Sequence, residues 1–278
     1  MSDCAICLLP IKRRDKTRQL NCKHIYHEKC VLPWLKNNNT CPTCRNQVNK
    51  EEFKSYFPPK KNAEGQLHCE DGPAVKDVDT EEWYINGKLH RDDGPALISA
   101  TSKEWYQNGK LHREDGPARI INHPINGTEE WYQNGQLHRL DGPAHISPKN
   151  IKWYKNNELH REDGPAVKTR DQEEWYRNGK RHRENGPAVK TGDVEKWYFD
   201  GKLHRVGGPA QTLGKGKGKH QEWYFNGKLH RKDGPARITA SLIQYYFNDR
   251  LHREGGPAQI FKNIKGMDEY YRHGHKIK

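Results

Sequence analysis

Eight residues near the amino terminus have the types and spacing to hold metal. They read Cys4-x-x-Cys7, fourteen residues, Cys22-x-His24, His27-x-x-Cys30, ten residues, Cys41-x-x-Cys44. Thiolate and imidazole donors in this number suit two tetrahedral zinc ions with no open coordination position, which is structural rather than catalytic zinc. Six of the seven cysteines lie in this segment, and only Cys69 lies outside it. In a reducing compartment such paired spacing reads as metal binding rather than disulfides. An intracellular, cytoplasmic setting is therefore expected, with the nucleus left open. Spacing alone permits two pairings. Cys22, His24, His27 and Cys30 could share one ion and leave the outer pairs for the other, or the pairs could alternate.

The elements that must position these ligands are short, and most of the chain lies beyond them. Hydrophobic residues make up only 32% of the 278 residues, and the mean hydropathy is −1.20. Both are low for a compact domain of this size. Disorder would be one explanation; with 25 glycines, 16 prolines and 10% aromatics, a repeat array without a central core is the better one. No stretch reads as a signal peptide or membrane span, "CAICLLP" being too short and too rich in cysteine. The net charge of +13 divides unevenly: residues 1–50 hold 10 Lys+Arg against 3 Asp+Glu, whereas the rest hold 39 against 33. The long part is nearly balanced, so no strong nucleic-acid footprint is present.

A register of about 22 residues runs through that long part. Gly-Pro-Ala occurs nine times, starting at Gly72, Gly94, Gly116, Gly142, Gly164, Gly186, Gly208, Gly234 and Gly256. Aromatic pairs keep the same beat, from Trp83-Tyr84 to Trp223-Tyr224, with Tyr245-Tyr246 and Tyr270-Tyr271 in the last two units. In "EEWYINGKLHRDDGPALI" the runs around Trp-Tyr and after Pro-Ala are the strand candidates. The second residue of the intervening Asn-Gly is always Gly, Asn or Asp, which tolerate positive φ, so a turn is enforced there. Two four-residue expansions, at "HPING" and "GKGKGK", both fall between Pro-Ala and the next aromatic pair, which must be an exposed loop. Two short strands per unit predict an elongated antiparallel sheet of roughly eighteen strands at about 4.8 Å spacing. Aromatic ladders would lie on its faces, with residues such as Val75 and Ile98 between the rings.

Two resemblances follow. Over residues 64–278 the array resembles MORN repeats, with an aromatic strand, "NGK" and a glycine-bearing connector, as in "WYQNGKLHREDG" at 105–116. Its Leu-His-Arg-x-Asp-Gly-Pro-Ala segment departs from the usual MORN glycine pattern. Variant arrays of this kind look most like those of large DNA viruses, which would make the compartment a host-cell cytoplasm. The resemblance implies a MORN-like interaction scaffold for a protein substrate or partner, with a membrane surface as the alternative. The second resemblance covers residues 1–45. "CAIC", "CKHIYHEKCVLPWL" and "CPTCR" look like a RING finger of the two-histidine type. That likeness implies a small cross-braced ββα zinc domain, in which Cys4, Cys7, His27 and Cys30 hold one zinc ion and Cys22, His24, Cys41 and Cys44 the other. The expected organisation is a RING-type zinc finger at 1–50, a linker at 51–63 stiffened by Pro58-Pro59, and the β-repeat array at 64–278.

RING fingers recruit a ubiquitin-conjugating enzyme charged with ubiquitin, and the implied function is a RING-type ubiquitin-protein ligase. The family's contact positions map to Ile6, Trp34 and Pro42. Leu32 and Leu35 beside it leave open that Trp34 packs a small core instead. Arg45, directly after the last ligand, matches the family's linchpin arginine, whose planar fork holds the conjugating enzyme and ubiquitin in a reactive pose; a solvated charge is the plain alternative. The competing function is a non-catalytic scaffold, with the RING as a protein-binding module and the array as a partner or membrane anchor.

The remaining features read as structure. Cys69 occupies a position held by Arg91, Arg113 and their equivalents, which makes it an end-cap residue rather than an acceptor of ubiquitin. Nine histidines from His68 to His252 keep the repeat register, and each is expected to bond its own connector. Lys215, Lys217 and Lys219 are expected in a solvated loop. Partner-reading residues are best sought where units differ, above all at the residue after the tyrosine, which runs from Ile85 and Gln107 to Phe199, Phe225 and Phe247.

Overall fold

The computed structural model describes residues 3–49, 51, 53, 57–122 and 127–277. The "HPING" expansion, apart from its last residue, lies outside the described residues, as does the side chain of Lys217. The chain forms two compact units, residues 1–123 with 133–135, and residues 124–132 with 136–278.

The first unit begins with a hairpin, β1 (Thr17–Gln19) and β2 (Ile25–His27), followed directly by α1 (Glu28–Asn37). Val31 and Leu35, one helical turn apart, turn inward from α1 and are at most 1% exposed. They pack with Leu20, Tyr26, Val48 and Phe53 around Cys4 and Cys41, a cluster small enough to need metal support. Within 51–63, the described residues Phe53 and Lys60 make contacts outside the segment. Phe53 is buried in this cluster with Phe57 tilted against it at 4.7 Å, and Lys60 N–H donates to the Ala74 carbonyl at 2.7 Å. Val78 also packs on the cluster, and Asn39 Nδ2 donates to its carbonyl at 3.1 Å, so the zinc domain and the first repeat share one body.

Each repeat then has two parts. One is a pair of strands in a long antiparallel meander. The first unit contributes β3 (Val75–Lys76), β4 (Thr80–Glu82), Leu97–Ser99, Ser102–Glu104 and Arg119–Ile121, each paired with the next. In the second unit twelve strands among the described residues, from Thr128–Glu130 to Gln259–Phe261, continue the same neighbour-to-neighbour order. Among the described residues each strand pairs only with its neighbours in order, from Val75–Lys76 onward. The antiparallel repeat sheet expected from the sequence is present.

The second part is a hairpin that the sequence reading merged with the first. The run around Trp-Tyr is not one strand. The sheet strand ends at Glu82, and after Trp83 a separate hairpin of Tyr84–Ile85 and Lys88–Leu89 begins. The tryptophan backbone makes the break, because its N–H donates to the Ala96 carbonyl while its own carbonyl accepts from His90. Asn86 and Gly87 both have positive φ, 48° and 74°, which is the type I′ geometry that matches strand twist in a two-residue hairpin.

The connector explains the rest of the repeat. Arg91 stacks over the Trp83 ring at 4.1 Å, and the same contact recurs up to Arg253 over Tyr245 at 4.0 Å. The guanidinium also lies against the glycine of Gly-Pro-Ala. A Cβ on Gly116 would stand 2.9 Å from Arg113 Cζ, and on Gly186 2.7 Å from Arg183 Cζ. These glycines do not have positive φ, and what a Cβ would meet is the guanidinium, the movable end of the arginine. Around Gly72 a Cβ would meet nothing, because Cys69 stands in place of the arginine and receives a hydrogen bond from Lys60 Nζ.

The histidines face their own connectors, as expected. Each also reaches the next repeat through the other ring nitrogen: His90 Nε2 lies 3.2 Å from Asp92 of its own connector, while Asn108 N–H donates to His90 Nδ1 at 3.1 Å, and Asn178 N–H to His160 Nδ1 at 3.1 Å. With Gly109 N–H to the Leu89 carbonyl and Arg91 N–H to the Tyr106 carbonyl, this stitches hairpin to hairpin. Stability thus comes from neighbour contacts, and the low hydrophobic content needs no disorder to explain it.

Candidate metal centre

Two tight turns carry the Cys-x-x-Cys pairs. In the first, Cys4 N–H donates to the Leu9 carbonyl and Leu8 N–H to the Cys4 carbonyl. In the second, Cys41 N–H donates to the Asn46 carbonyl and Arg45 N–H to the Cys41 carbonyl. The β1–β2 hairpin and the start of α1 supply the other four donors. The result is two clusters, Cys4, Cys7, His27 and Cys30, and Cys22, His24, Cys41 and Cys44, with the donor atoms of each within 4.8 Å of one another. The pairs alternate along the chain. "CKHIYHEKC" therefore divides between the two clusters and braces them.

The donor chemistry fits zinc. About 2.3 Å for Zn–S and about 2.05 Å for Zn–N at tetrahedral angles give an S···N edge of about 3.6 Å. His27 Nδ1 lies 3.3 Å from Cys7 Sγ, and His24 Nδ1 lies 3.4 Å from Cys22 Sγ and 3.6 Å from Cys41 Sγ. Each set offers four donors, enough to fill a zinc ion's coordination sphere, so the ions would hold the fold and activate no water. The thiols are also poised unequally. Burial raises Cys4, but the backbone N–H groups of Cys7, His27 and Ile6 outweigh it and bring the thiol down to about 6. Burial together with Cys7 and Cys4 pushes Cys30 up to about 11. Crowded thiolates repel, and a divalent cation relieves that repulsion.

Two supporting residues were not legible in the sequence. Asp15 Oδ2 lies 3.2 Å from His27 Nε2 and so fixes the ring with Nδ1 toward the cluster, the outer-shell role a carboxylate plays on a metal-binding histidine. Tyr26 is 1% exposed, and its hydroxyl lies 2.9 Å from Cys41 Sγ and 2.8 Å from Thr43 Oγ1. Burial, with Cys41, pushes its phenol up to about 12, so it remains a donor to the thiolate. Only the ligand spacing near them hints at either residue.

The surface residues singled out from the sequence are displayed rather than consumed by the core. Ile6 and Trp34 are 36% and 38% exposed, Pro42 is half-buried and Arg45 is exposed. The core role open to Trp34 is filled by Val31 and Leu35. Its indole N–H instead donates to the Thr40 carbonyl at 2.8 Å, which fixes the ring on the surface. Arg45 sits in the left-handed region with φ of 59°.

Residues 2–45 match the ring finger domain family. The chain is similar to E3 ubiquitin-protein ligase RNF181 of Xenopus laevis, 38% identical over 71 residues, covering 24% of this chain and 46% of that protein. It is similar to the Drosophila melanogaster RNF181 homolog, 42% over 50 residues, covering 18% and 34%. It is also similar to E3 ubiquitin-protein ligase ATL41 of Arabidopsis thaliana, 52% over 48 residues, covering 17% and 20%. The chain thus spans less than half the length of these curated relatives. The amino-terminal segment is a RING domain of the two-histidine type, with donor sets for two zinc ions, followed by an antiparallel β-repeat array.

Proposed function

We propose that the chain is a RING-type ubiquitin-protein ligase. Ile6, Trp34 and Pro42 dock a conjugating enzyme charged with ubiquitin. Arg45 holds the tethered ubiquitin against it, and the MORN-like array brings a protein substrate near. The ligase supplies no nucleophile. A substrate lysine amine attacks the thioester carbonyl, an isopeptide bond forms, and the conjugating enzyme's thiol leaves. The contribution of the ligase is positional, through restriction of a flexible tether. The observation that carries this reading is the division of labour in the small domain: its core closes on Tyr26, Val31, Leu35 and Phe53, leaving Ile6 and Trp34 outside. Six thiolate ligands favour action in a reducing compartment, on this reading the cytoplasm, and a host cell's where the array is viral.

The test is ubiquitin-chain formation by the purified chain with activating enzyme and a panel of conjugating enzymes. Activity that is lost in Ile6→Ala and in Arg45→Ala, with zinc content unchanged, supports the ligase. Two bound zinc ions without activity toward any conjugating enzyme would turn the reading to a scaffold.

A further inference from the structure

Three consecutive late hairpins differ from the others at one position. After the tyrosine stand Phe199, Phe225 and Phe247, where earlier repeats have Ile85, Gln107, Gln133, Lys155 and Arg177. These three phenylalanines are 41–48% exposed. They interleave with the repeat histidines in one ladder: His182 to Phe199 4.7 Å, Phe199 to His204 6.0 Å, His204 to Phe225 4.9 Å, and so on to Phe247 and His252. Opposite each phenylalanine in its hairpin stands a base, Lys202, Lys228 or Arg250, all exposed.

A second change occurs in the same repeats, in the connector pair after His-Arg. In the first five connectors, from Glu70-Asp71 to Glu162-Asp163, nine of the ten residues are acidic, Leu140 being the exception. In the last four, Glu184-Asn185, Val206-Gly207, Lys232-Asp233 and Glu254-Gly255, three of eight are acidic. The early aspartates bind the stacked arginine, as Asp163 Oδ1 binds Arg161 Nε at 2.8 Å. Arg183, Arg205 and Arg253 have lost that carboxylate to Asn185, Gly207 and Gly255. In the repeat just before the stripe, the corresponding positions share one surface. The cleft of about 610 Å³ at Arg177, His182 and Arg183 is lined by the residue after the tyrosine, the histidine, the arginine and the connector pair together.

We propose that the stripe of Phe199, Phe225 and Phe247 is a docking site for an acidic peptide in extended polyproline-II form, with an apolar residue at every third position. Repeats advance by two strands, about 9.6 Å. A polyproline-II chain advances about 9.3 Å per three residues and returns to the same face, so one apolar side chain meets the exposed edge of each phenylalanine. The bases opposite the rings and the depleted connector acids match a negative chain. Single-stranded nucleic acid fits less well, because a base needs a free ring face and each phenylalanine has a histidine on both sides. This site goes beyond the ligase reading and stands without it, since the test reads binding alone.

The experiment uses the full zinc-loaded chain and a fluorescein-labelled peptide of about twelve residues repeating Leu-Pro-Glu, long enough to cover the stripe. Its competitors are a peptide of equal composition with the leucines moved out of the three-residue register, oligouridylate, and phosphatidylserine vesicles. Saturable binding is expected, at least tenfold tighter than the out-of-register peptide. It should weaken at least tenfold in the triple variant F199S/F225S/F247S. It should also weaken in V206E/K232E, which leaves the rings in place and restores connector acids at two exposed positions. Equal binding of both peptides, unchanged binding in both variants, or stronger stripe-dependent binding of oligouridylate or vesicles would overturn the proposal.

Discussion

Leu8 and Arg45 occupy the same place in two copies of one turn. Each follows the second cysteine of a Cys-x-x-Cys pair, donates its N–H to the carbonyl of the first cysteine, and takes a left-handed φ, 57° and 59°. A branched or long residue pays in strain there, and glycine would not. The turn itself therefore does not ask for arginine. Arg45→Gly should keep both metal sites and fold at least as well, yet lower ubiquitin transfer at least tenfold. Zinc stoichiometry and single-turnover rates measured on one preparation check this. A glycine variant as active as wild type would reduce Arg45 to a solvated charge.

Asp15 makes a prediction that needs no ubiquitin. Removing the carboxylate that orients His27 should weaken the first zinc site by about 10- to 100-fold. In competition with a chromophoric chelator, Asp15→Ala should release one zinc ion at lower chelator concentration and the second near the wild-type concentration. Simultaneous release of both would mean that the cross-brace, not the carboxylate, sets the affinity.

The stacked arginine and its glycine form a testable pair. Gly186→Ala brings a methyl group within 2.7 Å of Arg183 Cζ, which lies 3.8 Å from the Trp175 ring. The guanidinium must leave the ring, at a cost of about 1 kcal/mol. In an Arg183→Ala background the same alanine should cost nothing further, and the double-mutant cycle measures that difference. Additive effects would show that backbone strain, not the guanidinium, selects glycine.

Glu222 supplies the pH dependence. It is 4% exposed at the end of its sheet strand, where Arg237 Nε donates to it at 2.7 Å and the Tyr224 hydroxyl at 3.1 Å. Burial alone would raise its carboxyl, but Arg237, Tyr224 and His220 outweigh burial and hold it below the ordinary glutamate range. A carboxyl lowered on folding stabilises the protein above its unfolded value, about 4.3, and that stability is lost as pH falls through the folded value. Arg237→Gln should therefore lower stability by about 2 kcal/mol at neutral pH and flatten the acid side of the stability curve relative to wild type. Parallel curves for the two proteins would contradict the pairing.

Different parts of this molecule were legible in the sequence to different degrees, for physical reasons. Zinc accepts few donor types at few spacings, so its eight candidate ligands could be read directly. The repeat beat was equally plain, and Asn86-Gly87 could be read as a turn because few residues tolerate positive φ. The break at Trp83 was hidden because Trp-Tyr has the composition of one strand, while the split comes from bonds to Ala96 and His90, distant in the sequence. His90 bonding Asn108 was hidden likewise, since it depends on how one repeat stacks on the next. Asp15 is one acid among many until the fold brings it to His27.

The central claim is that this RING domain activates a charged conjugating enzyme. Its most direct measurement is discharge of ubiquitin from a preloaded conjugating enzyme to free lysine, at single turnover, with and without the zinc-loaded chain. The account predicts discharge at least tenfold faster with wild type, and near the unassisted rate with Ile6→Ala or Arg45→Ala. Unassisted rates with the wild-type chain, two zinc ions bound, across a panel of conjugating enzymes would contradict it.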